Sequence, residues 1–211
     1  MRKGLFITFE GVDGCGKSTQ MRFLAEYLIE EKGMDVVLTR EPGGCSVAEQ
    51  IREILLDKQN SEMNGYTEAL LYAAARVQHI DEVILPAVRA GKIVLCDRYL
   101  DSSIAYQGYA RGIGIERVLQ MNRYAVENCM PDWTIFMDYH PKKAFSRMNP
   151  AKERDRLELE DGAFFEKVYE GFQKAAELAP ERIMKIQVEG SKWETKEKIA
   201  ALCDHFLSKE Q

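Results

Sequence analysis

The 211-residue chain is poor in several things that would announce a function. Its three histidines, His79, His140 and His205, show no mutual spacing that suggests a metal centre or a catalytic triad, so they read as structural or surface residues. The five cysteines, Cys15, Cys45, Cys96, Cys129 and Cys203, are odd in number, widely scattered and without a CxxC pair. That pattern points to neither a disulfide framework nor a zinc site, and it fits a reducing compartment. A basic excess is missing too. The net charge of −5 argues against a nucleic-acid scaffold, because neutralising a phosphate backbone needs a dominant basic surface. No run approaches about 18 uninterrupted apolar residues, so no membrane span is expected. Met1-Arg2-Lys3 leads straight into a strand-like run, and no leader is expected either. Repeats, low-complexity tracts and linkers are lacking. With 45% apolar residues, the expectation is one cytoplasmic domain over residues 1–211.

Against that plain background, Gly11 to Thr19 reads GVDGCGKST and follows the apolar run Leu5-Phe6-Ile7-Thr8-Phe9. This is the GxxxxGKS/T pattern of a phosphate-binding loop. Gly11, Gly14 and Gly16 permit dihedrals that a Cβ would forbid, so successive N–H groups of Gly11, Val12, Asp13, Gly14, Cys15, Gly16, Lys17, Ser18 and Thr19 can curl round a phosphate. The N-terminus of the next helix adds its partial positive charge. Lys17 is then expected at the β- and γ-phosphates and Ser18 on Mg²⁺.

Four further short runs, at 36–39, 93–96, 134–137 and 183–188, read as strands. They alternate with segments of helical periodicity at roughly 46–58, 66–91, 101–129, 141–148, 161–179 and 194–208. The alternation predicts an α/β fold with a parallel sheet covered on both faces, in which ligands sit at the carboxyl ends of the strands. The residues just after each strand therefore carry the functional reading.

After the third strand comes Asp97-Arg98. Asp97 is placed to hold Mg²⁺ beside the loop. Arg98 either fixes the strand end as an ion pair or, as a planar five-donor cation, contacts both donor and acceptor phosphates. Ser103 and Gln107 stand four apart on one helical face, and a Gln amide offers a donor and an acceptor that match a pyrimidine edge. Tyr72 and Arg76 are also i,i+4, a ring for stacking and a cation for carbonyl oxygens, with a core aromatic as the other reading of Tyr72. Arg40-Glu41-Pro42-Gly43-Gly44 after the second strand holds a charged pair at a pocket wall or is a plain loop. Arg52 either reaches inward to a phosphate or pairs with Glu49 or Glu53. Residues 149–161, NPAKERDRLELED, form either a solvated charged segment or a lid that excludes water from a γ-phosphoryl group. These features alone also suit a kinase for another nucleotide or nucleoside, or a nucleotide-driven switch.

Five blocks, FEGVDGCGKST (9–19), TREPGG (39–44), LLYAAARVQH (70–79), DRYLDSSIAYQGYARG (97–112) and DRLE (155–158), together resemble the thymidylate kinase family over nearly the whole chain. The resemblance implies a phosphate-loop NTPase fold with a five-stranded parallel sheet and a short lid at about 147–158. It also implies Mg²⁺-dependent transfer of the ATP γ-phosphate to dTMP, giving dTDP, and a homodimer. Carried over by residue, it puts ATP on the phosphate loop, Asp13 near the sugar 3′-hydroxyl, and Arg52 and Arg98 on the dTMP phosphate. Arg40 and Ser103 join the dTMP site, Tyr72 stacks on thymine, and Arg76 and Gln107 bond its edge. Some family members carry an arginine inside the phosphate loop, where this chain has Gly14. Its cations at Arg147, Lys152, Arg154 and Arg156 resemble the subtype whose catalytic arginine comes from the lid, with Arg156 the first expectation and Arg154 the second.

Overall fold

A computed structural model describes residues 4–147 and 154–209. Five parallel strands lie in the order β2-β3-β1-β4-β5: β1 Leu5–Glu10, β2 Val36–Arg40, β3 Ile93–Asp97, β4 Trp133–Asp138 and β5 Ile183–Gln187. The central strand, β1, is buried at all six positions, which explains why it reads as a continuous apolar run. The edge strand β2 is only half covered, and Leu38 on it stays exposed.

Ten α-helices connect and cover the sheet among the described residues. They are α1 Lys17–Glu30, α2 Ser46–Leu56, α3 Gly65–His79, α4 Leu85–Arg89, α5 Leu100–Ser103, α6 Ile115–Met121, α7 Arg123–Asn128, α8 Pro141–Phe145, α9 Gly162–Leu178 and α10 Lys192–Lys209. The core between helices and sheet is built on Phe6, Ile7, Phe9, Leu28, Val94, Leu95, Ile135, Phe136, Val168 and Phe172.

Two of the predicted long helices are interrupted. Ile80–Ile84 and Ile104–Ala110 are wound as π-helix. At the first, Pro86 has no N–H for the carbonyl of Glu82 and its ring displaces that carbonyl, so the preceding turn widens. The second ends where Gly112 and Gly114 take φ of +73° and +100°, splitting the expected 101–129 helix into α5, the π segment, α6 and α7. The π segment packs closely against α9. A Cβ on Gly171 would lie 2.7 Å from the Ala105 Cα and 2.9 Å from its carbonyl oxygen, so no larger residue fits without moving one element.

Candidate active site

The register of the sheet assembles the site. Phe9 pairs with Asp97 across β1 and β3, and the Arg98 N–H donates to the Phe9 carbonyl at 2.9 Å. The residues after β3 are thereby fixed beside the loop that leaves β1. In that loop Gly14 and Gly16 adopt φ of +80° and +102°. Gly16 caps α1 with no side-chain acceptor, whereas Asn64 caps α3 and Asp161 caps α9 through their carboxamide and carboxylate oxygens. The first turn of α1 thus keeps N–H groups for a ligand.

A cleft of about 400 Å³ opens at this edge. On one side it is lined by Asp13, Gly14, Gly16, Lys17, Ser18 and Thr19, and on the other by Arg40, Arg52, Tyr72, Arg76, Ser103, Tyr106 and Gln107. Asp97 and Arg98 lie between, as does Asp155 of the charged segment. The sequence placed most of these residues together. Gly11, Val12 and Cys15, expected on the phosphates, do not line the cleft: Val12 and Cys15 turn their side chains into the core. Their part in the loop is confined to the backbone.

Arg98 carries the junction. It is the one non-glycine residue with positive φ among those described, at +70°. Its guanidinium donates to Asp13 Oδ1 at 2.6 Å and to Ser102 Oγ at 3.0 Å, and it lies 5.2 Å over the Tyr106 ring. The left-handed backbone at a residue with a Cβ costs on the order of 1 kcal/mol, and the surrounding hydrogen bonds hold it there. Behind it, Glu10 is fully buried and accepts from the Tyr99 N–H at 2.7 Å and from Ser102 Oγ at 2.5 Å. Burial, followed by the charge of Asp101, pushes the Glu10 carboxyl up to about 7.

Lys17 is buried and folds back on its own loop, donating to the carbonyls of Gly11 at 2.9 Å and Val12 at 3.0 Å. Ser18 Oγ donates to Asp97 Oδ2 at 2.7 Å. Arg40 is half exposed and forms a two-pronged pair with Glu49 at 2.9 and 3.0 Å. Arg52 donates to the Pro42 carbonyl at 2.8 Å, rather than to Glu49 or Glu53. The bond before Pro42 is cis.

Arg76 is 1% exposed. It donates to Glu41 Oε2 at 2.7 Å, Asn122 Oδ1 at 2.5 Å and the Tyr99 carbonyl at 3.0 Å. Three of its five N–H groups are therefore spent on the protein, and two remain for the cleft it lines. Ser103 is buried in the same wall, and its hydroxyl has no partner among the described residues. A buried, unpartnered hydroxyl facing a cleft is what a ligand's polar edge would satisfy.

The described cations of the charged segment lie apart from the cleft. Arg156, the first expectation for a catalytic lid cation, does not line the cleft and is 7% exposed. Its Nε donates to the Leu55 carbonyl at 2.8 Å and a terminal nitrogen to Glu68 Oε2 at 2.7 Å. A buried carboxylate is stabilised by such a partner. Arg154, the second expectation, is exposed and also outside the cleft lining. Arg147 stacks 4.3 Å over Tyr139, and Lys152 lies outside the described residues. What the segment presents instead is a turn in which Asp155 Oδ1 accepts from the N–H groups of Leu157 and Glu158, both at 2.9 Å.

Glu10, Ser102, Tyr106 and Glu68 were not singled out from the sequence. Ser102 and Tyr106 carried a signal, since they are i,i+4 like Ser103 and Gln107. Glu68 carried none: its partners Gln107, Arg111 and Arg156 lie 39, 43 and 88 residues away.

The chain is similar to known proteins. The family model described as thymidylate kinase matches residues 9–199. A thymidylate kinase of Oceanobacillus iheyensis is 49% identical over 210 residues, covering 99% of this chain and 93% of its own. One from Geobacillus sp. (strain WCH70) is 53% identical over 186 residues, covering 87% of this chain and 88% of its own. The crystal structure of thymidylate kinase from Ehrlichia chaffeensis superposes with a TM-score of 0.78 at 34% identity, over 96% of this chain and 99% of that one.

Proposed function

Because the chain belongs to the thymidylate kinase family and phosphorylates dTMP to dTDP as a nucleoside monophosphate kinase, we propose that ATP is its donor and that Arg98 is the cation at the transferred group. The observation that carries this reading is that Arg98 touches both halves of one cleft. It is held to Asp13 in the phosphate loop and lies over Tyr106 on the acceptor side. A planar cation so placed reaches charge on either phosphate.

In this reading the loop N–H groups and Lys17 hold the ATP phosphates. Arg52 and Arg40 flank the dTMP phosphate, and Asp13 meets the sugar. Tyr72 stacks on the base, and Arg76, Ser103 and Gln107 meet its edge. The acceptor is already a phosphate anion, so direct in-line transfer needs no strong general base. Lys17 and Arg98 stabilise the charge as it spreads over the transferred group.

The donor set fits Mg²⁺. Ser18 Oγ and Asp97 Oδ2 are hard oxygens side by side, and no group of three or more His, Cys, Asp or Glu able to hold a metal occurs among the described residues. That combination suits a cation whose remaining ligands are phosphate and water. Bound there, Mg²⁺ would neutralise phosphate charge; Ser18 and Asp97 would hold it.

We take the chain as one domain acting in the cytoplasm, with ATP, dTMP and a second copy of itself as partners. No helix among the described residues is long and apolar enough to cross a membrane. The homodimer is supported by exposed apolar residues on the packed pair α2 and α3, namely Val47, Ile54, Tyr66, Leu70 and Val77.

Arg98→Ala tests the central assignment. Its kcat for dTMP should fall on the order of 10³-fold, while affinity for a non-hydrolysable ATP analogue stays within a few fold. A kcat within a few fold of the parent would overturn the role given to Arg98.

A further inference from the structure

Gln107 lines the cleft, yet one end of its amide is already committed. Nε2 donates to Glu68 Oε1 at 2.8 Å. An ionised carboxylate only accepts, so the NH2 end has to face Glu68, and the carbonyl oxygen is the end left for the cleft. Glu68 is itself completely buried and fixed by two cations. Its Oε2 takes Arg156 at 2.7 Å and Arg111 at 3.1 Å, and Arg111 Nε reaches Oε1 at 3.3 Å. Arg111 is in turn tied to Glu160 at 2.6 Å. Burial opposes ionisation of Glu68, but Arg111, Gln107 and Arg156 outweigh it and hold the carboxyl below its usual range. The amide of Gln107 therefore meets a charged acceptor whose own position is locked.

A carbonyl oxygen in the cleft accepts an N3–H. Thymine and uracil have one; cytosine presents a bare N3 acceptor at that edge, which would oppose oxygen with a lone pair. We propose that Glu68 is a specificity-determining positioning residue: by fixing the Gln107 amide it makes the acceptor site select pyrimidines that carry an N3–H. This rests on the reading above that Gln107 meets the base edge. Glu68 itself touches no substrate.

Replacing the carboxylate by its amide makes the consequence sharp. In Glu68→Gln, Arg156 and the terminal nitrogen of Arg111, both on Oε2 at 2.7 and 3.1 Å, keep the carbonyl oxygen of the new side chain and turn its NH2 toward Gln107, at the loss of the longer 3.3 Å contact from Arg111 Nε. The Gln107 amide must then flip and put its own NH2 into the cleft, where it suits cytosine N3.

The test is kcat/KM for dTMP and for dCMP in the parent, Glu68→Gln and Gln107→Leu. The dTMP:dCMP ratio should fall roughly ten- to a hundred-fold in Glu68→Gln, with dCMP turnover rising and the KM for ATP unchanged within a few fold. Gln107→Leu should collapse the ratio by loss of dTMP alone. If Glu68→Gln slows both substrates in parallel while Gln107→Leu collapses the ratio, Glu68 is merely structural and the proposal falls, with the reading of Gln107 intact. If Gln107→Leu leaves the ratio unchanged, Gln107 does not read the base and both fall. Should Glu68→Gln not fold, the double variant Glu68→Gln/Arg111→Met removes the cation whose Nε faces the new NH2, keeps Arg156 on the carbonyl oxygen and serves the same comparison.

Discussion

At the scale of single residues, the site is built from charges that the protein places under cover and then satisfies. Glu10 is the extreme case. It accepts from the loop after β3, with Arg98 and Asp101 facing it, and Arg182 holding Asp101 through two bonds of 2.7 Å. Its carboxyl is raised from 4.5 to about 7 in the folded chain. Between those values the folded state binds more protons than the unfolded one, so stability falls as pH rises through that window and levels off above it. The full effect is on the order of 3 kcal/mol. Urea midpoints measured from pH 4.5 to 8 should decline accordingly, and Glu10→Gln should flatten the decline. A parent curve that rises over the same interval would contradict the role given to Glu10. The residues legible from sequence were those whose partners are near or whose position is set by a strand end: the loop residues, Asp97, Arg98, and the pairs Tyr72 with Arg76 and Ser103 with Gln107. The surroundings of Arg156 were not legible, because its charge is answered by a carboxylate 88 positions away.

Among elements, the strands and their parallel arrangement follow from short apolar runs separated by helical segments, and all five stand where the sequence puts them to within about two residues. The π turns were not legible. An extra residue per turn leaves almost no trace in hydrophobic periodicity, and its cause lies partly in contacts across the fold. The turn at Ile104–Ala110 matters most because it sets the aim of Tyr106 and Gln107, and Gly171 of α9 fixes it by close backbone approach. Gly171→Ala should cost about 1–3 kcal/mol, since the new methyl meets backbone rather than a yielding side chain. It should also raise the KM for dTMP several fold and leave that for ATP unchanged. Urea unfolding and the two Michaelis constants check this; equal changes in both constants would deny a specific link between α9 and the acceptor wall.

For the molecule as a whole, the sheet order brings the phosphate loop and the facing wall of the cleft to one edge, and apolar side chains stand exposed on α2 and α3. Leu70 is 54% exposed on α3 and Ile54 48% on α2, and the two helices pack side by side. A two-fold pairing of this face with itself would bury them. Sedimentation should therefore show a dimer for the parent and a monomer for Leu70→Lys, with an unchanged far-ultraviolet spectrum. A parent that sediments as a monomer at micromolar concentration would refute the pairing. That face was only half legible from sequence, because apolar residues at helical spacing fit a core as well as an interface.

One detail of the phosphate loop bears on how it fills. The ammonium of Lys17 already rests on the carbonyls of Gly11 and Val12. Arrival of a phosphate is then an exchange of ligands around a fixed cation rather than the capture of an ion by a bare charge. A small free anion competes for the ammonium by its charge alone. A nucleotide would add phosphate contacts to the N–H groups at the first turn of α1, so its advantage over a free anion would lie in those contacts rather than at the ammonium.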